Sequence, residues 1–259
     1  MTAGDRNRAA WNVASRKYVD ESADLLAEAT TTSSLLPSER AVLTDILTAA
    51  PRVVHLQSGN GQDALDLRRS GAASVVGVDF SEVTTAAAAG RARQLSIDVQ
   101  HVVGDALAVP LRTACADLVY TGKGALVWLP SLTSWAAEVS RLLDRGGHLF
   151  LHDEHPAAAM WTWDEAEPRR RADRSYFGGT RANDTFPQSA IARFGDDPNL
   201  HATEWQWTIA DLVNAVVGAD MTILRLDEHA EPFWRPAGEK AAAWDGMLPN
   251  SLTLLARRP

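Results

Sequence analysis

Two glycines and an acid carry the first chemical signal in this chain. Gly59 and Gly61 sit two residues apart in the stretch HLQSGNG, residues 55–61, and Asp79 closes the apolar run 74–78 that follows. Lacking Cβ atoms, the glycines let the backbone turn sharply and let a ligand come close to it. A carboxylate at the end of the next apolar run can accept hydrogen bonds from both hydroxyls of a ribose. The spacing therefore points to a nucleoside ligand. A second group of reactive side chains comes later: His152, Asp153, Glu154 and His155 in a row, then Glu228 and His229. Each could accept or deliver a proton. His152, Asp153 and His155 also read as metal ligands, but alternation in an extended segment turns His152 away from the other two, so no metal is expected.

These residues need a frame, and the hydropathy pattern supplies one. The runs 52–56 and 74–78 read as strands joined by the glycine turn and a helix, the first half of a nucleotide-binding βαβ unit. After Asp79, Ser81 is a natural N-cap for an alanine-rich helix over 84–95. A third strand over 99–103 is closed by Gly104, Asp105 and Ala106, and a fourth over 117–120 ends at Thr121 and Gly122. A helix over 132–143 is stopped by Arg145, Gly146 and Gly147, and 148–151 is a fifth strand. Strands alternating with helices imply a parallel sheet with right-handed crossovers.

The flanks differ from this core. Residues 1–8 are polar and expected to be loose; 9–29 has helical spacing, and 35–50 reads as a second helix with Ser38 as N-cap and Glu39 in its first turn. Pro51 separates helix from strand. Residues 156–206 lack clean periodicity and read as a functional lid. A helix over 209–217 leads to a sixth strand over 222–226, and 252–256 is the last. The loop between those two, with Pro232, Trp234, Pro236 and Trp244, has too little helical pattern for a crossover, so the final pair is expected to be an antiparallel hairpin. The organisation expected is one domain over 1–259: a helical cap (1–50), a cofactor-binding core (51–155), the lid (156–206) and a C-terminal helix with hairpin (207–259).

At 259 residues, 46% hydrophobic and 22% charged, the composition is that of an ordinary globular protein. A net charge of −8 argues against a nucleic-acid partner, which calls for a basic patch. A small molecule fits better. The lone Cys115 cannot form an internal disulfide, and no charged-then-apolar leader or long apolar run points to export or a membrane, which makes the cytoplasm the expected compartment and a monomer or homodimer the expected state. Nine Trp residues suggest an aromatic-lined pocket or large core fillers.

Taken together, five parallel strands finished by a hairpin, an acid after strand two and Gly104-Asp105-Ala106 after strand three resemble the class I S-adenosylmethionine-dependent methyltransferases. The resemblance covers roughly 53–259 and implies an α/β, Rossmann-like seven-stranded sheet, mostly parallel with an antiparallel last strand, flanked by helices and carrying the N-terminal cap and inserted lid. It implies S-adenosylmethionine as cofactor, bound through Tyr18, His55, Gln57, Ser58, Gly59, Asn60, Gly61, Asp79, Phe80, Ser81, Gly104, Asp105, Ala106, Thr121 and Gly122. Asp79 matches the ribose acid, Phe80 the residue flanking the adenine, and Asp105 and Ala106 its hydrogen-bond partners. Thr121 and Gly122 match the strand tip behind the sulfonium. Where the family has an acid that contacts the methionine amino group and then a first glycine, this chain has His55 and Gln57. Leu143-Asp144-Arg145-Gly146-Gly147 looks like the family's Leu-Lys-Pro-Gly-Gly turn. Within the class, His55-Leu56-Gln57, the segment 120–129 and His155-Pro156 resemble a branch of small-molecule methyltransferases common in actinobacteria, although Glu204-Trp205-Gln206-Trp207 stands where that branch has Glu-Trp-Asn-His.

Methyl transfer to oxygen, nitrogen or carbon needs nucleophile and methyl held at near-attack distance, and a base only for a neutral nucleophile. His155 is the candidate base, or it fixes the Pro156 turn. Trp128, His155, Trp161, Tyr176 and His229 are the candidate acceptor contacts, with Phe177 beside Tyr176. Trp11 and Tyr18 resemble aromatics that close over the cofactor, and helix packing explains them equally well. Arg169 to Arg171 read as a solvated face or a handle for an acidic substrate. Two rival readings stay open: an NAD(P)-dependent oxidoreductase, because Gly59, Gly61, Ala64 and Asp79 satisfy a loose dinucleotide fingerprint, and a protein that binds S-adenosylmethionine without transferring its methyl group.

Overall fold

The computed structural model describes residues 2–161, 169–195, 197, 199–232 and 247–259. Five strands come first: β1 (Arg52–Leu56), β2 (Ser74–Asp79), β3 (Gln100–Val103), β4 (Ala116–Gly122) and β5 (Leu143–Glu154). The lid contributes β6 (Thr180–Ala182) and β7 (Thr203–Trp205), and β8 (Thr222–His229) and β9 (Ser251–Arg257) follow. One seven-stranded sheet runs β3-β2-β1-β4-β5-β9-β8, with β1 to β5 parallel and β9 antiparallel to both its neighbours. The sheet is the one expected, including the antiparallel final pair. From β1 the chain builds outward through β2 to β3 and then returns to add β4 on the other side of β1, so the carboxyl ends of β1 and β4 flank a switch point, the place where open α/β sheets bind ligands.

Helices α1 (Ala3–Ala14), α2 (Arg16–Asp20), α3 (Ser22–Thr31) and α4 (Pro37–Thr48) precede the sheet; α5 (Gln62–Arg69), α6 (Glu82–Gln94) and α7 (Leu132–Leu142) connect its strands; α8 (Gln188–Phe194) lies in the lid and α9 (Ile209–Gly218) before β8. One face of the sheet packs Trp135, Leu142, Leu212 and Val216 of α7 and α9; the other packs Leu43, Leu47, Ala64 and Leu67 of α4 and α5. Each such fully buried large side chain contributes about 2–3 kcal/mol, which makes the sheet a rigid platform for the loops at its edge.

The boundaries differ from the sequence reading in four places. Residues 3–8 are helical, because Thr2 accepts from the Asp5 N–H (3.1 Å) while Asp5 accepts from the Thr2 N–H (2.8 Å), a reciprocal cap. The span 9–29 breaks into α1, α2 and α3 at Ser15 and Glu21. Leu36, and not Ser38, caps α4: Pro37 occupies the first helical position, where no N–H is needed, and Glu39 accepts the Leu36 N–H (2.7 Å). β5 begins at Leu143 and runs to Glu154, because Gly146 at φ +80° lets the chain bulge out of register between the Ala116–Leu143 and Leu118–His148 pairs without ending the strand.

The lid also has more structure than its sequence signals. β6 and β7 pair antiparallel, Arg181 opposite Glu204, and α8 packs Ala190 and Ile191 on Ala10 and Ala14 of α1. Asn7 ties the cap to the lid from both ends, donating to the Thr203 carbonyl (2.8 Å) and accepting its N–H (2.7 Å). Trp234, Pro236 and Trp244 lie outside the described residues.

Candidate active site

The glycine turn leaves β1 through Gln57 at φ +53° and Gly59 at φ +50°, and Gly61 at φ +83° opens α5. A Cβ on Gly61 would lie 2.7 Å from that of Ala88 on α6, so this glycine serves close packing; a Cβ on Gly59 would meet nothing within 4 Å, so that edge is open to a ligand. Gln57 takes the left-handed conformation usual for glycine and anchors the turn, its Nε2 donating to the Ala125 carbonyl (2.8 Å).

Asp79 organises the turn. Its carboxylate accepts the Gly59 N–H (3.0 Å) and the Ser81 N–H (2.9 Å), joining the glycine turn to the start of α6, where Ser81 caps Thr84. Burial pushes its pKa up to about 6 against the pull of those two N–H groups. Tyr18 lies near enough to feel its charge, and burial with Asp79 beside it raises the phenol above its ordinary range. Ser81 also donates to Asn12 of the cap (2.8 Å). Phe80 is partly buried; after β3, Gly104 is held by Asp79 O (2.9 Å), Asp105 is exposed with one oxygen taking the Leu107 N–H, and Ala106 is buried.

At the β1 and β4 tips the side chains are polar and buried. His55 meets Tyr120 edge to face with the ring centroids 4.8 Å apart, and burial drops its pKa to about 4, so the ring is neutral. Thr121 Oγ1, His55 Nδ1 and Gln57 Oε1 are buried without a hydrogen-bond partner. Beyond Thr121, three successive residues with positive φ, Gly122, Lys123 and Gly124, fold the chain back so that the N–H groups of Gly124, Ala125 and Leu126 all reach the Asp153 carboxylate. Asp153 is thereby a loop anchor.

A charged cluster that sequence reasoning missed sits on the α4 side of this edge. Lys123 Nζ contacts Asp63 (2.6 Å), Glu39 (3.1 Å) and the Ser34 carbonyl (2.7 Å), and the Tyr120 hydroxyl donates to Glu39. Removing a partner from such a buried set costs about 3–5 kcal/mol. A lysine between two glycines at a strand tip was the available signal.

On the acceptor side, His155 is engaged at both nitrogens. Nδ1 accepts the Ala157 N–H (3.1 Å), so the proton sits on Nε2, which donates to Glu228 (2.8 Å). His152 and His229 share the Thr253 hydroxyl at 2.9 Å each. Glu154 faces Asp153, Glu204, Arg181 and Arg174, and its carboxylate accepts no hydrogen bond among the described residues; burial, with Asp153 and Glu204 nearby, pushes its pKa up to about 8. Trp128 is drawn toward Tyr18 through a ring chain of Trp11 and Phe186, with centroids 5.3, 5.2 and 6.0 Å apart. Tyr176 instead rests on Phe177 and accepts the Ile209 N–H (3.4 Å), while Trp161 bridges to Arg170. Arg171 pairs with Asp173 and Asp184. Among the described residues no three His, Cys, Asp or Glu side chains converge on a metal position, and no helix is long and apolar enough to cross a membrane.

Residues 53–147, from β1 into β5, match the sequence model of a methyltransferase domain. The matched segment spans less than half of the chain. It contains the glycine turn, Asp79, Asp105 and the β4 tip. No curated protein sequence matches the chain. Among solved structures, an S-adenosylmethionine-dependent methyltransferase from Mesorhizobium loti aligns at TM-score 0.62 and 23% identity, over 83% of this chain and 96% of that one. A geranyl diphosphate C-methyltransferase from Streptomyces coelicolor A3(2) aligns at TM-score 0.57 and 16% identity, over 86% and 80%. The [4+2]-cyclase SpnF aligns at TM-score 0.55 and 18% identity, over 86% and 82%. At these identities the likeness is one of fold, and the cyclase shows that the fold hosts more than one chemistry. The starts of α5 and α6 in this segment are bonded to the N-terminal helices, Gln62 to the Leu25 carbonyl and Ser81 to Asn12, and α1 packs in turn on the lid.

Proposed function

We propose that the protein transfers a methyl group from S-adenosylmethionine to a small-molecule acceptor, in the branch of specialised metabolism that its motifs resemble. The observation that carries this reading is the Asp79 carboxylate gripping the Gly59 and Ser81 N–H groups at the open edge of a methyltransferase domain. The site fits such a cofactor: open space over Gly59, an exposed Asp105, and unpartnered polar atoms on His55, Gln57 and Thr121.

S-adenosylmethionine supplies an activated methyl when bound; the chain's own residues position, enclose and deprotonate. Asp79 would hold the ribose hydroxyls, Phe80, Asp105 and Ala106 the base, and Tyr18 would close from the cap. Trp128, Trp161, Tyr176 and His229 bound the acceptor space. His155, with both nitrogens engaged, orients the Pro156 turn and so the lid. Glu154, at the exit of β5 with its carboxylate unbonded, takes the acceptor's proton, so turnover rises with pH through about 8.

Thermal-shift titration with S-adenosylmethionine, NAD and NADP tests the reading. Stabilisation by S-adenosylmethionine is expected; stabilisation by a dinucleotide alone would overturn the methyltransferase reading in favour of the oxidoreductase one. Binding of S-adenosylmethionine without label transfer from its methyl group to any of a panel of phenols, amines and enols would favour the reading without transfer, to which the likeness to the cyclase lends its one support.

A further inference from the structure

The strand order sets the direction in which a nucleoside ligand lies. Asp79 and Asp105 end β2 and lie beyond β3, so the end of the cofactor remote from its base lies over β1 and β4, next in the order β3-β2-β1-β4. From β2 to β4 is two strand spacings, about 10 Å, within the length of an extended S-adenosylmethionine. That remote end carries an ammonium and a carboxylate. At the β1 tip stands His55, a neutral ring where the resemblance called for an acid.

The charge needed there comes from a different element. Asp63, in the first turn of α5 directly after the glycine turn, is one of two carboxylates set against a single cation, Lys123. Lys123 occupies Oδ1 of Asp63 at 2.6 Å; Oδ2 has the Tyr120 hydroxyl at 3.4 Å, a hydroxyl that donates to Glu39, and the Ser34 hydroxyl also lies close to the carboxylate. Glu39 is fully enclosed, whereas the Asp63 side chain keeps 15% of its surface open. The cluster thus holds one carboxylate in excess of its cation, and Asp63, the member that solvent reaches, has lone pairs left beyond its single short contact to Lys123.

Resting on the methyltransferase reading, we propose that Asp63 binds the ammonium of the cofactor's amino-acid end in place of the missing β1 acid. Lys123 and Glu39 are positioning residues that hold the carboxylate on the ligand edge. The site therefore discriminates S-adenosyl nucleosides by their amino group, through α5 and not through β1.

Calorimetry with S-adenosylhomocysteine and with 5′-methylthioadenosine, which lacks the amino-acid end, tests this. Asp63→Asn is expected to weaken S-adenosylhomocysteine about ten- to a hundredfold, the loss of one charge-assisted hydrogen bond, and to leave methylthioadenosine unchanged. Wild-type affinity for S-adenosylhomocysteine in the variant overturns the proposal, as does an equal loss for both ligands, which would make Asp63 a support of the turn. Should circular dichroism show the variant unfolded, the wild-type protein decides: deamino-S-adenosylhomocysteine should bind at least about tenfold more weakly than the parent, and equal affinities overturn the proposal. Wild-type protein that binds neither nucleoside would remove the methyltransferase reading itself, a result distinct from failure of Asp63 alone.

Discussion

Glu154 shows how a side chain's role depends on what its neighbours leave undone. Arg181 is already paired with Glu204 (2.6 Å), and Arg174 with Asp184 (2.7 Å), so the nearby cations serve other acids and burial dominates at Glu154. Its folded pKa of about 8 stands above the ordinary value of 4.5. The unfolded chain thus releases this proton first, and the folded state loses stability as pH rises from 4.5 to about 8. Glu154→Gln cannot ionise. Its melting temperature should match wild type near pH 4.5 and exceed it by several degrees above pH 8, in thermal unfolding followed by circular dichroism; a gap that does not change with pH would mean Glu154 is ionised throughout.

Among the elements, the junction of β4 and β5 is the tightest. A Cβ on Gly122 would sit 1.9 Å from the His152 carbonyl oxygen, on backbone that the parallel pairing cannot move. Gly146, at φ +80° in the bulge of β5, has nothing within 4 Å of its Cβ position. Gly122→Ala should cost about 3 kcal/mol or more through this clash, and Gly146→Ala about 1 kcal/mol through backbone strain alone. Urea denaturation of both variants checks the order, and a milder effect at Gly122 would mean that the two strand tips yield more readily than their pairing implies.

At the scale of the molecule, cap and lid behave as one cover over the sheet edge. Asn7, only 2% exposed, makes both hydrogen bonds to Thr203, α1 packs on α8, and Trp11 touches both Trp128 and Phe186. Asn7→Ala leaves the partly buried N–H and carbonyl of Thr203 without this partner and should destabilise by about 2 kcal/mol. Hydrogen exchange should then accelerate in residues 3–14 and 180–205 together. Acceleration of α1 alone would show that the cap moves independently of the lid.

Local pattern carried much of the core. The alternation of apolar runs with helical segments, the Gly59-Gly61 turn, Asp79 and the antiparallel last pair were all legible, because strand period, glycine freedom and turn spacing are written within a few residues of each other. The seven-stranded sheet followed from them. The insertion of β9 between β5 and β8, the β6–β7 pair, the double engagement of His155 and the Glu39–Asp63–Lys123 cluster were not legible. Each depends on residues that meet from far apart in the chain: His155 and Glu228 are 73 positions apart, Tyr120 and Glu39 81, Asn7 and Thr203 196. Such contacts form where packed helices and strands happen to place side chains, and the periodicity of either partner's own segment carries no trace of the other. The sequence alone marked the edge where a nucleoside is expected, because glycine turn and acid lie close together in the chain; folding determined which carboxylates stand near that edge, because they come from α4 and α5.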